Sequence, residues 1–344
     1  MRILILKPSS LGDVIQALPV LRALKLHFPA AEIHWWIDRT LAPLLEADPD
    51  LSGLVLFERR HWAAPTNLRR LGQDLIRLRE LSFDWVIDLQ SLARSAIFGW
   101  VANGRLFVGL DEPREGARGF YDLVVPRPSF HTHAVDWYLG VLELLGVPRA
   151  GGFCWLPPRA EVAAALAARL PSSLAGWVVL QPGARWRNKR WPAEHYAALA
   201  KRLAGWRPDL RFAVTGSLDD RPLAEAILRA GPEGCLDLTG RLSLPEMVEA
   251  VRGATLMITN DTGPMHVAAA VGTPLVALFG PTDPRRTGPY GGLAQVVQGG
   301  TPCVPCLKAR CAWPEPEDCL RSLGPEVVFA AVQKRLALPR AGVV

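Results

Sequence analysis

Short apolar runs, many of them β-branched, recur along this chain, and stretches with the 3.6-residue spacing of a helix separate them. Residues 3–6, 32–37 and 85–88 read as strands, with a helix over about 14–27 after the first of them. A run that is apolar without alternation suits a strand covered on both faces, and strands interleaved with helices predict βαβ units in a parallel sheet. The rhythm breaks at Pro157-Pro158 and then restarts. In the second stretch 177–181, 211–215, 256–259 and 275–279 read as strands, and 193–203 and 221–229 as helices. A last helix over about 325–336 is free to pack back across the boundary, and 339–344 reads as a frayed tail.

The expected fold class is therefore α/β, with two Rossmann-like domains, residues 1–160 and 161–344, facing an interdomain cleft. Length agrees, because 344 residues exceed one ordinary core. With 49% hydrophobic and 21% charged residues the chain has ample apolar surface to bury. The opening run of residues 3–6 is far too short for a signal peptide or a membrane span, which leads us to expect a cytoplasmic protein. A formal charge of +6 suits an anionic partner such as a lipid surface or a phosphorylated glycan, and is modest for nucleic acid, which we do not expect as a partner.

In open parallel sheets ligands bind beyond the carboxyl ends of the strands, so the polar residues just after each strand are the candidates. Lys7-Pro8-Ser9-Ser10-Leu11-Gly12-Asp13 follows the first strand and opens its helix. Asp13 there can face the cleft, or one of Ser9, Ser10 and Asp13 can merely cap the helix. Asn260-Asp261-Thr262-Gly263-Pro264-Met265-His266 runs from a strand into a helix, where backbone amides, a small glycine and a hydroxyl make a diphosphate site. His266 alone would more often be a structural residue than a ligand contact. Between them, 181–192 carries Arg185, Arg187, Lys189 and Arg190, either a solvated loop or a cationic mouth for a nucleotide diphosphate. Gly280-Pro281-Thr282-Asp283-Pro284 is a further strand-end loop.

Taken together, Lys7-x-Ser9-Ser10-x-Gly12-Asp13, Pro182-Gly183 with Lys189-Arg190-Trp191-Pro192, Asn260-Asp261-Thr262-Gly263-x-x-His266 and Gly280-Pro281-Thr282-Asp283-Pro284 resemble glycosyltransferase family 9, the ADP-heptose:lipopolysaccharide heptosyltransferases. The resemblance implies a two-domain GT-B architecture with the acceptor on the N-terminal half and the nucleotide sugar on the C-terminal half. It implies that Asp13 is the general base, that Gly183, Lys189, Thr262 and Gly263 serve the diphosphate, and that Asp261 and His266 serve the heptose. Asp220 would hold the ribose, and Leu242 and Ser243 would flank the adenine. Acceptor contacts would come from Ser9, Ser10, Arg59, Arg60, Arg94 and Arg114, matching Kdo carboxylates and lipid phosphates at the inner face of the membrane. Ala184 and Arg185 stand where some members carry a hydroxyl pair. The implied reaction is direct, inverting displacement from ADP-heptose with no cofactor required, since a carboxylate can activate a sugar hydroxyl.

Cys303, Cys306, Cys311 and Cys319 add a separate signal, because CxxC-x4-C-x7-C spacing suits structural Zn or Fe held by thiolates, or else four reduced thiols. Competing readings are a family-9 enzyme using another nucleotide sugar or a protein acceptor, and a nucleotide-sugar-binding protein without turnover that would need no Asp13. A dinucleotide oxidoreductase is disfavoured, since neither half has GxGxxG after its first strand.

Overall fold

The computed structural model describes residues 1–58, 75–149, 151, 154–170 and 176–339. Arg59 and Arg60, expected at the acceptor site, lie outside the described residues. The chain divides into two compact units, Met1–Pro157 and Pro158–Val344.

In the first unit β1 (Arg2–Leu6), β2 (Glu32–Asp38), β3 (Gly53–Phe57), β4 (Trp85–Asp88), β5 (Leu106–Leu110) and β6 (Leu123–Val125) form a parallel sheet in the order β3-β2-β1-β4-β5-β6. Ile3, Leu4, Ile5 and Leu6 are wholly buried, as the unbroken apolar run requires of a central parallel strand. The helix Leu11–His27 returns over the sheet and buries most of its length, its interior Pro19 included. On the sheet Trp36 stacks on Phe98 with ring centroids 4.4 Å apart, and Leu4, Phe57 and Phe107 complete that core. Buried Arg22 donates to Asp48, Asp50 and the Trp155 carbonyl, which ties the end of this unit to its first helix.

In the second unit β7 (Trp177–Gln181), β8 (Arg211–Val214), β9 (Leu236–Asp237), β10 (Leu256–Asn260), β11 (Leu275–Phe279) and β12 (Ala294–Gln298) are also all parallel, in the order β12-β11-β10-β7-β8-β9. Numbered within its unit, this is the same winding as the first sheet. The order reverses between β1 and β4 in one and between β7 and β10 in the other, and such switch points are where ligands sit in open α/β sheets. The helix Pro325–Ala337 packs on the helix Ala193–Trp206 and on β11 and β12, all in the second unit. Val328 and Val332 enter that unit's core and Phe329 meets Trp206 edge to face.

Candidate active site

At the switch point of the second sheet β10 ends in Asn260, whose side chain is wholly buried and closes two loops. Its Nδ2 donates to the Pro182 carbonyl at 2.7 Å, and its Oδ1 accepts from the Trp191 backbone at 3.1 Å. Both ends of the 182–191 loop are thereby held at the end of β10, which puts Lys189 beside the next residue, Asp261. Lys189 Nζ lies 2.6 Å from Asp261 Oδ2, and Thr282 Oγ1 donates to the same oxygen at 2.6 Å. Lys189 also sits over the Trp186 ring, 4.6 Å from its centroid, and Gln298 Nε2 fixes the Thr282 carbonyl at 2.8 Å. Strand-end loops after β7, β10 and β11 therefore converge on one buried carboxylate. A buried ion pair with a third donor is stable only when its geometry is complete, and here each partner is fixed by its own strand end.

Thr262 occupies the N-cap of the helix Gly263–Ala270, in extended conformation, with Pro264 in the first turn where a missing N–H costs nothing. The first amides of this helix and its dipole favour an anion beside the Lys189 and Asp261 pair. His266 is buried on the same turn. Asp220 lies at the end of the loop after β8, accepts from Ser217 N and Ser217 Oγ through Oδ2, and comes within 4.0 Å of Arg190 through Oδ1. Gly183 makes that placement fit, because a Cβ on it would stand 2.4 Å from the Asp220 carboxylate. Gly183 thus acts here by leaving space. Leu242 packs against the small cluster of Trp177, Ala213 and Leu238, and Ser243 caps the helix Leu244–Gly253 in a reciprocal pair with Glu246.

In the first unit Asp13 lies half-buried on the first turn of the helix Leu11–His27 and accepts from Ser10 N at 3.0 Å and from Ser10 Oγ at 2.6 Å. Ser9 and Ser10 are exposed. Exposed Arg94 stands over the Phe57 ring, and exposed Arg114 pairs with Glu112 at 2.9 Å. At the end of β4, Asp88 is wholly buried and accepts from Gln90 N, Ser91 N and Tyr121 Oη, and burial pushes its carboxyl above the ordinary range despite those bonds.

The cysteine-bearing segment braces the loops after β7 and β11. Arg187 pairs with Glu317, Asn188 Nδ2 donates to the Lys308 carbonyl, and Leu307 N donates to the Pro281 carbonyl. Burial raises the Cys319 thiol to about 11, with Cys303, Cys311 and Cys306 adding to the effect. Among the described residues no three His, Cys, Asp or Glu side chains are arranged to hold a metal ion. Sequence reasoning gave no role to Asn260, Thr282 or Trp186. The signal for the first two was their place at the end of an apolar strand and in the loop just beyond one, where a polar side chain can bridge loops.

Residues 69–315 match the sequence model of glycosyltransferase family 9 (heptosyltransferase). Over 98% of this chain and 99% of the relative, the sequence is 32% identical to lipopolysaccharide heptosyltransferase 1 of Pseudomonas aeruginosa. Lipooligosaccharide heptosyltransferase 2 of Haemophilus influenzae is 31% identical over 87% of this chain and 88% of its own length. Among solved structures, E. coli ADP-heptose lps heptosyltransferase II has a TM-score of 0.79 at 24% identity, covering 98% of this chain and 99% of that one. The two wound sheets are those of the GT-B fold.

Proposed function

The chain belongs to glycosyltransferase family 9, and from that premise we propose that it transfers heptose from ADP-heptose to a Kdo-lipid A or inner-core lipopolysaccharide acceptor with inversion. One observation carries the reading: Lys189 and Thr282 meet on Asp261 beside the open end of a helix. That is a fixed cation, a hydroxyl and backbone amides in one place, the donor set a departing diphosphate needs.

In the proposed reaction Asp13 takes the proton of the acceptor hydroxyl, and the freed oxygen attacks the anomeric carbon of heptose. The bond from that carbon to the diphosphate oxygen breaks, and ADP leaves with the electron pair. Lys189 and the amides at Thr262 and Gly263 face the charge that grows on the diphosphate, so they bind the transition state more strongly than the ground state. Both bonds to Asp261 end on Oδ2, and in this reading Oδ1 takes a heptose hydroxyl, with His266 closing the pocket. Asp220 takes the ribose hydroxyls, and Leu242 and Ser243 border the adenine. On the acceptor side, Ser9, Ser10, Arg94 and Arg114, with Arg59 and Arg60, meet the anionic groups of the lipid. No described helix is long and apolar enough to cross a membrane. A lipid-borne acceptor then implies peripheral work at the cytoplasmic membrane surface.

Catalysis in this reading needs no cofactor. For Cys303, Cys306, Cys311 and Cys319 we propose structural Zn or Fe, supported by their CxxC-x4-C-x7-C spacing. The thiols would have to draw closer around the ion than they stand here.

Incubation with a panel of nucleotide sugars and Kdo-lipid A tests the reading. The expected result is release of ADP with a mass gain of one heptose on the lipid. Turnover of a different nucleotide sugar would replace the donor, and ADP binding without any turnover would make the protein a binding module.

A further inference from the structure

The backbone of an aspartate fixes where its carboxylate sits but not how it is turned, because the last torsion of the side chain is broad and nearly two-fold. At Asp261 the backbone N–H donates to the Leu278 carbonyl at 3.1 Å, and the side chain is buried. The turn of the carboxylate is left to its partners. Lys189 Nζ and Thr282 Oγ1 both end on Oδ2, each at 2.6 Å.

These two partners differ in kind. Lys189 is a point charge on a flexible stem, and in the proposed reaction that charge also faces the diphosphate, so its hold on Asp261 is shared once donor is bound. Thr282 stands among the groups around the diphosphate, but its one hydroxyl hydrogen is already given to Asp261, so it reaches the donor through that carboxylate. Its side chain is short and buried, and its backbone is held from both sides. Gln298 Nε2 donates to the Thr282 carbonyl at 2.8 Å, and Leu307 N donates to the carbonyl of the preceding Pro281 at 2.7 Å. Just before them, Gly299 N holds the carbonyl of Phe279, the last residue of β11, at 3.0 Å. A directional donor on a fixed loop is what a carboxylate needs in order to present one chosen oxygen.

We propose that Thr282 is a positioning residue for the sugar half of the donor: by holding Oδ2 it turns Oδ1 of Asp261 toward the heptose hydroxyl. This rests on the reading that Asp261 serves the heptose of ADP-heptose. Without the hydroxyl, Asp261 keeps Lys189, and the diphosphate keeps Lys189 and the amides of the helix Gly263–Ala270. What is lost is the orientation of one oxygen, and a misplaced contact of that kind is felt by the group it should meet. The effect therefore falls on recognition of the sugar and spares the nucleotide.

The test is calorimetry with ADP and with ADP-heptose, acceptor absent, on the wild type, Thr282→Val and Thr282→Ser. Valine removes the hydroxyl at nearly the same shape, and serine keeps it. Thr282→Val should weaken ADP-heptose by about tenfold, the lower end of what a hydrogen bond to a charged group contributes, and leave ADP affinity where it is. Thr282→Ser should bring ADP-heptose back to the wild-type value. If Thr282→Val does not fold, Thr282→Ala removes the same hydroxyl without setting a methyl against the carboxylate and carries the same readout. Equal weakening of both ligands, with a lower unfolding temperature, makes Thr282 a structural tie between the ends of β10 and β11 and overturns the proposal. Turnover of ADP-heptose with Kdo-lipid A by the wild type separates the two ideas. A wild type that releases no ADP overturns the functional reading and this proposal with it, whereas a wild type that turns over, beside a folded Thr282→Val with unchanged ADP-heptose affinity, overturns the Thr282 proposal alone.

Discussion

The two sheets share one winding order, yet their switch points are chemically opposite. In the second unit the carboxylate at the switch point, Asp261, is offered to long-range partners: Lys189 from the loop after β7 and Thr282 from the loop after β11. In the first unit the carboxylate at the end of β4, Asp88, is consumed by its own loop and by Tyr121, and the acid that stands ready is Asp13, held by nearby Ser10. A duplicated architecture therefore does not duplicate a site. One switch point assembles charge from distant strands and suits a fixed diphosphate. The other encloses its own carboxyl and leaves Asp13, the base in the proposed reaction, half-buried on a helix start.

The largest effect should follow from removing Asp13. Asp13→Ala is expected to leave ADP affinity nearly intact and to lower turnover by roughly two to four powers of ten, the usual contribution of a positioned base. Calorimetry with ADP beside steady-state rates measures both. Near-normal turnover would mean that the first switch point carries no chemistry, and the contrast between the units would be one of binding only.

Lys189→Ala attacks the opposite side. It removes the cation and leaves Asp261 with only Thr282, and a buried hydrogen-bonded charge left without its partner is costly. Because Lys189 is partly exposed, water will recover some of that cost. We expect ADP affinity to fall by about tenfold to a hundredfold, with turnover falling alongside. Unchanged ADP affinity would put the lysine outside the nucleotide site and leave the Asp261 cluster a structural knot.

A smaller and more local effect is expected at Gly183. A Cβ there collides with the Asp220 carboxylate, so Gly183→Ala must push Asp220 away or shift the loop, at about 1–3 kcal/mol for such overpacking. Thermal unfolding should record that loss, and ADP should bind more weakly while adenine-free diphosphate binds as before, if Asp220 serves the ribose. Equal weakening of both ligands would move the effect to the whole loop.

The contrast between the switch points also explains what was legible in the sequence. Central strands such as β7, β4 and β11 announced themselves because both faces are buried, which leaves an unbroken apolar run. β3, β6, β9 and β12 are edge or near-edge strands and only part-buried: β9 and β12 carry no long apolar run, and those of β3 and β6 are short and partly exposed, so all four went unread. β5 went unread too, although it is mostly buried, because its apolar run is broken by Gly109. The motifs of the second unit could be read because each is a contiguous strand-end segment. What joins them could not, since Asn260 reaches Pro182 and Asp261 reaches Thr282 across long stretches of chain. Lys7 was in view as a motif residue, but its burial against Leu89 and Tyr138 depends on how β1, β4 and the helix Ala134–Leu144 pack.

The smallest effect on chemistry should come from the segment that braces the second switch point. Residues 307, 308 and 317 hold Pro281, Asn188 and Arg187, so the loops bearing Thr282 and Lys189 are steadied by the chain between Cys306 and Cys319. If the four thiols hold a metal, purified protein should carry close to one equivalent of Zn or Fe per chain, and replacing any one cysteine by Ser should release it. Metal binding to a loop is linked to the folding of that loop, so the loss should appear first as a lower unfolding temperature. The Asp13 chemistry should persist in whatever fraction stays folded, with at most a modest rise in KM for the donor as the brace loosens. Elemental analysis of protein made without chelator decides the matter. Absence of stoichiometric metal, together with four thiols that titrate freely in the native protein, would reduce the segment to a brace made of its backbone and ion-pair contacts alone. A Cys319→Ser variant that lost turnover while remaining folded would instead show that the second switch point depends on its brace for chemistry, and that the division between a fixed nucleotide side and a reactive acceptor side is drawn too sharply.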